Sequence, residues 1–176
     1  MQRSNLYLLG KVIAFQLAFL ILHYCYEWFP NNLTRLISAT DESVYQHMKV
    51  AFFAYLLVIL GEYGLRHKSL SSPIAFGYAR IFSLVILPLV MMVYFLLGPA
   101  FFVKIESIPL EIIFANLTLL FTSSSIFLIE NHFEQSEPSR GLKIILITLL
   151  VLTLSEFLIF TERLPWFDIF ANPPGW

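Results

Sequence analysis

Charged side chains divide this sequence into five uninterrupted neutral runs, and those runs decide what the chain can fold into. They cover residues 12–26, 50–61, 81–103, 112–129 and 144–155, which is 15, 12, 23, 18 and 12 residues. Charge is costly in hydrocarbon, so such gaps trace a membrane. Crossing it by helix takes roughly 20 residues, each advancing the chain about 1.5 Å through a core of about 30 Å. The third and fourth runs meet that length, and the first does once extended to Leu6 and Phe29. The second and fifth reach only about 18 Å. They must draw polar residues from their flanks into the membrane.

Composition agrees with a membrane chain. Of 176 residues, 58% are apolar and 13% charged, against roughly 45–50% and about 25% in soluble domains. Mean hydropathy is +0.75. These values exclude a soluble enzyme, a disordered tail and a nucleic-acid-binding module, and a net charge of −1 offers phosphate backbones nothing. A single cysteine excludes an internal disulfide framework and a cysteine-rich zinc site.

The sequence therefore predicts an all-α, polytopic transmembrane helix bundle forming one integral membrane domain over 1–176. Spans are expected near 6–29, 42–65, 75–98, 110–131 and 142–161, followed by an extended tail of Pro and aromatic residues over 162–176. Pro88 should kink the third span and Gly98-Pro99 should end it. Breakers mark the connections at Pro30-Asn31-Asn32, Ser69 to Pro73, Pro109 and Ser136 to Gly141. A four-span alternative would lay 142–161 on the surface, but its apolar residues surround the helix instead of forming one stripe. The first span could be mistaken for a signal peptide after Arg3. No small-residue cleavage site follows it, so it is expected to be retained.

Five spans put the N-terminus and the loops at 66–74 and 132–141 on one side. That side carries Arg3, Lys11, Arg66, Lys68, Arg80, Arg140 and Lys143, against Arg35, Lys49, Lys104 and Arg163 opposite. Seven against four predicts a cell-membrane protein with a cytoplasmic N-terminus and an external C-terminus. Glu130-Asn131-His132, at the cytoplasmic end, is expected to be solvated. Most acidic residues fall in the external half, where polar chemistry could gather.

The second span opens on Asp41-Glu42-Ser43-Val44-Tyr45-Gln46-His47-Met48-Lys49. Asp41 or Thr40 can cap the helix, and Glu42 suits its positive end. Ser43 and His47 share one face, whereas Glu42, Gln46 and Lys49 share the next. A capped, charged first turn is ordinary at an interface, yet Gln46, His47 and Lys49 lie deeper, where polar groups need partners or a wet cavity. This stretch resembles an Asn-Glu-Ser-x-Trp-Glu-His-x-Lys signature in a family of small, multi-spanning prokaryotic membrane proteins with no assigned activity. Glu42, Ser43, His47 and Lys49 match it, while Asp41, Tyr45 and Gln46 replace Asn, Trp and Glu. The tail is similar as well: Phe160-Thr161, Pro165, Ile169-Phe170, Asn172-Pro173 and Gly175-Trp176 fit a Pro-rich ending that reads Leu-Phe-x-Asp-Pro, with Asn172 in place of Asp. The resemblance implies the architecture and highlights these residues without naming a reaction. Gln46 and Asn172 replace two of the family's carboxylates, which weighs against a carboxylate-dependent activity.

Glu156 is the second polar residue forced inward, and His47 or Lys49 should lie within its reach from the same side. The candidate polar site is thus Glu42, Ser43, His47, Lys49 and Glu156, with His23, Glu27, Asp168 and Asn172 as secondary members. The tail should run extended on the external surface, as an interfacial anchor or as a lid over a pocket between the second and fifth spans. His23, His47 and two carboxylates could hold a metal, but no i, i+4 His pair is present, so neither metal nor cofactor is expected. Asn116, Thr118, Thr122 and Ser123-Ser124-Ser125 should hydrogen-bond to neighbouring helices.

Two classes of function stand against each other. In the first, a non-catalytic protein holds a small ligand, a lipid headgroup or a partner helix in its external pocket. In the second, an intramembrane enzyme uses Glu156 or Glu42 with His47 as acid and base, and Lys49 stabilises developing negative charge. A proton-coupled transporter would need a dimer, because no inverted repeat is visible. The partners expected are membrane lipids, with a membrane-protein partner or a second copy of the chain as further candidates.

Overall fold

The computed structural model describes residues 5–102, 107–166 and 168–172. Within them the chain is an all-helical bundle: α1 (Asn5–Trp28), the short α2 (Asn32–Ile37), α3 (Val44–Arg66), α4 (Pro73–Phe102), α5 (Ile108–Phe133) and α6 (Arg140–Glu162). Five of these, all but α2, are long and apolar enough to cross a membrane. They alternate in direction. One end of the bundle therefore gathers the start of α1 with Arg66, Pro73, Phe133 and Arg140, and the other gathers Trp28, Val44, Ile108 and Glu162.

The most buried span is α3 and the least buried is α6. Around α3 pack α1 and α4, with α5 closing the bundle against α1 and α4, whereas α6 leans on α4 from outside and meets α2 at its far end. Small residues permit this closeness. Ala51 and Ala54 of α3 and Ala75 and Ala79 of α4 are buried, so backbones approach where lipid supplies no hydrophobic drive. Phe15 of α1 fills the centre, edge-on to Tyr55 (6.2 Å) and Phe127 (5.9 Å). Gly98 lies against the Phe114 ring, leaving no room for a Cβ at that position.

Three local expectations need correction. The connection after α1 is not a plain loop, because Asn31 and Thr34 form a reciprocal capping box that starts α2. The N-cap of α3 is Ser43, whose hydroxyl accepts from Gln46 N–H at 3.3 Å; Asp41 instead accepts from Ser43 N–H at 2.9 Å, a turn that leaves Glu42 outside the helix. Finally, α4 passes through Gly98-Pro99 to Phe102. A membrane-embedded helix tolerates Pro because any other backbone path would strand more polar groups in hydrocarbon. The expectations for Arg3, Lys104 and the final Pro173-Pro174-Gly175-Trp176 lie outside the described residues.

Candidate functional site

Polar side chains gather at both ends of the bundle, in two different ways. At the end carrying Asn5 they form a closed ionic network. Lys11 (5% exposed), Glu62, Arg80 (1%) and Glu130 (1%) are all buried. Lys11 Nζ lies 3.0 Å from Glu62 Oε2 and also bonds Glu130. Arg80 donates from Nε to Glu62 Oε2 at 2.9 Å, reaches Glu130 Oε1 at 3.2 Å, and bonds Glu134. Arg66 bridges Glu62 (2.6 Å) and Glu134 (3.4 Å) from the rim. The hydroxyls of Tyr7 and Tyr55 donate to Glu62 and Glu130. Rings complete the enclosure: Lys11 sits over Phe127 at 4.7 Å and Arg80 over Phe76 at 4.1 Å. Glu130 is thus not solvated, as the sequence reading expected, but carries the centre of this network. Among the described residues three cations meet three carboxylates, and each of these charges is engaged within the cluster. It locks α1, α3, α4 and α5 together.

At the opposite end the polar groups border open space. A cavity of about 240 Å³ lies between α1, α3, α4 and α5. Phe19, Leu20, Met91, Met92, Phe95 and Leu119 supply its apolar wall, and His23, Glu42 and His47 cluster at one corner, while Gln16, Glu111 and Asn116 are polar lining elsewhere. Its volume is a little under the usual span for small-molecule pockets, roughly 300–1,000 Å³.

The corner is assembled from three separate segments. His23 lies in the last two turns of α1, Glu42 directly precedes the Ser43 cap, and His47 lies in the first turn of α3. One carboxylate serves both imidazoles: Glu42 Oε1 is 3.3 Å from His23 Nε2, and Oε2 is 3.4 Å from His47 Nε2. The hydrogen bond from His23 holds the Glu42 carboxyl below the usual carboxylate range; the charges of His23 and His47 act the same way, and partial burial opposes them. His47 Nδ1 lies 2.8 Å from the Ser43 carbonyl oxygen. A carbonyl only accepts, so Nδ1 carries the proton and Nε2 is turned to Glu42. Stacking orients both rings: His23 lies parallel to Phe19 at 6.1 Å, and His47 lies between Phe19 (6.3 Å) and Phe95 (6.1 Å).

The structure divides the candidate residues of the sequence. Glu42, His47 and His23 come together on the cavity. Ser43 supports them as a helix cap, and Asn172 accepts from Glu42 N–H at 2.8 Å, fixing the backbone that carries the carboxylate. Lys49 is fully buried but points away, donating to the Arg35 carbonyl at 2.9 Å and so closing the C-terminal end of α2. Glu156 is half-buried and makes no hydrogen bond or ion pair among the described residues. Its expected pairing with His47 or Lys49 is not formed, because both are engaged elsewhere and α6 lies outside the α1–α3 contact. No α6 residue lines the cavity, so the pocket expected between the second and fifth spans belongs to the first four spans instead. Glu27 is exposed at the end of α1.

The tail also differs from a plain extended strap. Asp168–Phe170 forms one 3₁₀ turn that seats Phe170 against Tyr45 (4.8 Å) and Phe160 (5.4 Å). Two residues of the polar streak of α5 bond within their own helix: Asn116 donates to the Ile112 carbonyl and Ser123 to the Leu119 carbonyl, each at 2.8 Å. In hydrocarbon that carbonyl is the nearest acceptor. No protein-family model matches the sequence, and neither characterised proteins nor solved structures offer a match.

Proposed function

We propose that this multi-pass membrane protein binds an amphiphilic small molecule in the cavity between α1, α3, α4 and α5. The observation that supports this is the mixed lining: an apolar wall of Phe19, Leu20, Met91 and Phe95 beside the clustered His23, Glu42 and His47, with Gln16, Glu111 and Asn116 as further polar lining. A lipid-like molecule matches that division, its chain along the methionines and aromatics and its head at the corner. Methionine suits the first task, since its flexible thioether adapts to varied chains. The polar corner, not Glu156, carries the recognition. The reading is a binding protein more than an enzyme, because among the described residues no serine, threonine or cysteine hydroxyl or thiol is set beside the histidines on the cavity.

A photoreactive amino acid in place of Phe95 tests the reading. It should capture one discrete species, whereas the same group replacing lipid-facing Val151 of α6 should capture the bulk phospholipid mixture. Identical mixtures from both sites would contradict a specific ligand.

The polar corner lies on the external face in this proposal. Lys and Arg at the loops set orientation. Setting aside the buried Lys11, Arg80 and Lys49 still leaves five against three in favour of a cytoplasmic N-terminus. Compartment-sensitive reporters fused to the two ends should report the cytoplasm at the N-terminus and the exterior at the C-terminus. The reverse result would invert the site to the inner face, and one shared compartment would contradict five crossings.

A further inference from the structure

The shared carboxylate of Glu42 raises a problem that a bound cation would solve. His47 spends its Nδ1 proton on the Ser43 carbonyl at 2.8 Å, so in the neutral ring Nε2 presents a lone pair. That lone pair meets Glu42 Oε2 at 3.4 Å, an acceptor facing an acceptor. His23 Nε2 approaches the other oxygen of the same carboxylate at 3.3 Å. The two imidazole centroids are 5.0 Å apart, and one ligand atom from each of the three residues falls within a common 4.8 Å. A proton between Glu42 and one histidine would satisfy one of these contacts. The His23 proton can serve one contact and leaves the His47 lone pair facing Glu42 Oε2, whereas a metal ion would take the Nε2 lone pairs of both rings and the carboxylate at once.

Distances support the second solution. In a tetrahedral zinc site with bonds of about 2.0–2.1 Å, neighbouring ligand atoms stand roughly 3.3–3.4 Å apart. The nitrogen–oxygen separations of 3.3 and 3.4 Å are of that size, though they run to different oxygens of the one carboxylate, so ligation through a single oxygen takes a small turn of the Glu42 side chain. The Ser43 carbonyl supplies the outer hydrogen bond that fixes a ligating histidine's tautomer and ring direction. Ser43 itself is held as the α3 cap, and Asn172 fixes the Glu42 backbone, so the ligands are positioned by elements built before any ion arrives.

We propose that His23, Glu42 and His47 bind a divalent transition-metal ion of the zinc class, with its remaining coordination position open to the cavity. Two imidazoles and one carboxylate are three protein ligands, the number that leaves a position for water or for a ligand's own donor. The open position would then select an amphiphile whose head offers an oxygen donor, such as a phosphate or carboxylate. This deepens the amphiphile reading and rests on the same cavity.

Cobalt(II) titrated into the purified full-length protein in detergent provides the test. Wild type should bind one Co²⁺ per chain with the intense visible absorption of a low-coordinate site, and one equivalent of Zn²⁺ should bleach it. Glu42→Gln, His23→Gln and His47→Gln should each lose the band, while His132→Gln, at the far end of the bundle, should keep it. Absence of the band in wild type, or its persistence in all three site variants, would overturn the proposal, whatever those variants do to folding. Cobalt is read without added amphiphile, so the two readings fail separately. A discrete cross-linked species without the cobalt band would remove only the metal, and the band without such a species would remove only the amphiphile.

Discussion

Replacing Arg80 by Met should destabilise the protein by about 3–5 kcal/mol, the usual cost of removing one partner from a buried ionic group. Arg80 is 1% exposed and neutralises Glu62, Glu130 and Glu134 together. Its loss leaves, among the described residues, Lys11 and Arg66 to face three carboxylates in a low-dielectric interior, where unpaired charge is most expensive. The compensating double variant separates charge balance from shape. Arg80→Met with Glu62→Met removes one charge of each sign and leaves the Lys11–Glu130 and Arg66–Glu134 pairs in place. It should recover most of the loss, because a buried ion pair replaced as a unit by apolar side chains is often neutral or better. Reversible unfolding in mixed micelles, run on the single and double variants, measures both. A double variant as unstable as the sum of the two singles would contradict a balanced clamp.

This network was within reach of the sequence. The expected spans 6–29, 42–65, 75–98 and 110–131 already enclose Lys11, Glu62, Arg80 and Glu130, all towards the same end. Two cations and two anions forced to one depth must pair. The short run 50–61 pulls polar residues inward at both its ends, and Glu62 is as close to it as Lys49 is. Glu130 reads as solvated only from its place at the end of the fourth span, without Lys11 and Arg80 at the same depth. The spans themselves were legible to within a few residues at most ends, since charge gaps report directly on hydrocarbon.

The polar corner was legible only in part. His23, Glu42 and His47 stand out individually, but i, i+4 arithmetic works within one helix and cannot tell which helices are neighbours. The start of α3 meets α1 on one side, where His47 lies beside His23, and α6 on the other, where Tyr45 donates to the Phe157 carbonyl, and neither contact has a charge signature in the sequence. Glu156 looked equivalent to His47 in depth, yet it lies on the peripheral helix. The helix start mattered too. Placing the cap at Asp41 would put Glu42 on a helix face, whereas the cap at Ser43 frees its side chain to reach both histidines.

The second large effect concerns the cavity. Ala115 of α5 lines it, and Ala115→Trp should plug the space between Met91, Phe95 and His23 without touching the ionic clamp at the other end. An indole in a span that borders lipid adds apolar surface and one N–H that the polar corner can accept, so the bundle should keep its unfolding midpoint. Occupancy should instead fall to zero. Native mass spectrometry of wild type and Ala115→Trp, released from the same detergent, reads this directly. The account predicts one amphiphile retained per wild-type chain and none on the plugged variant; a wild-type chain that flies empty, or equal retention by both, would contradict it.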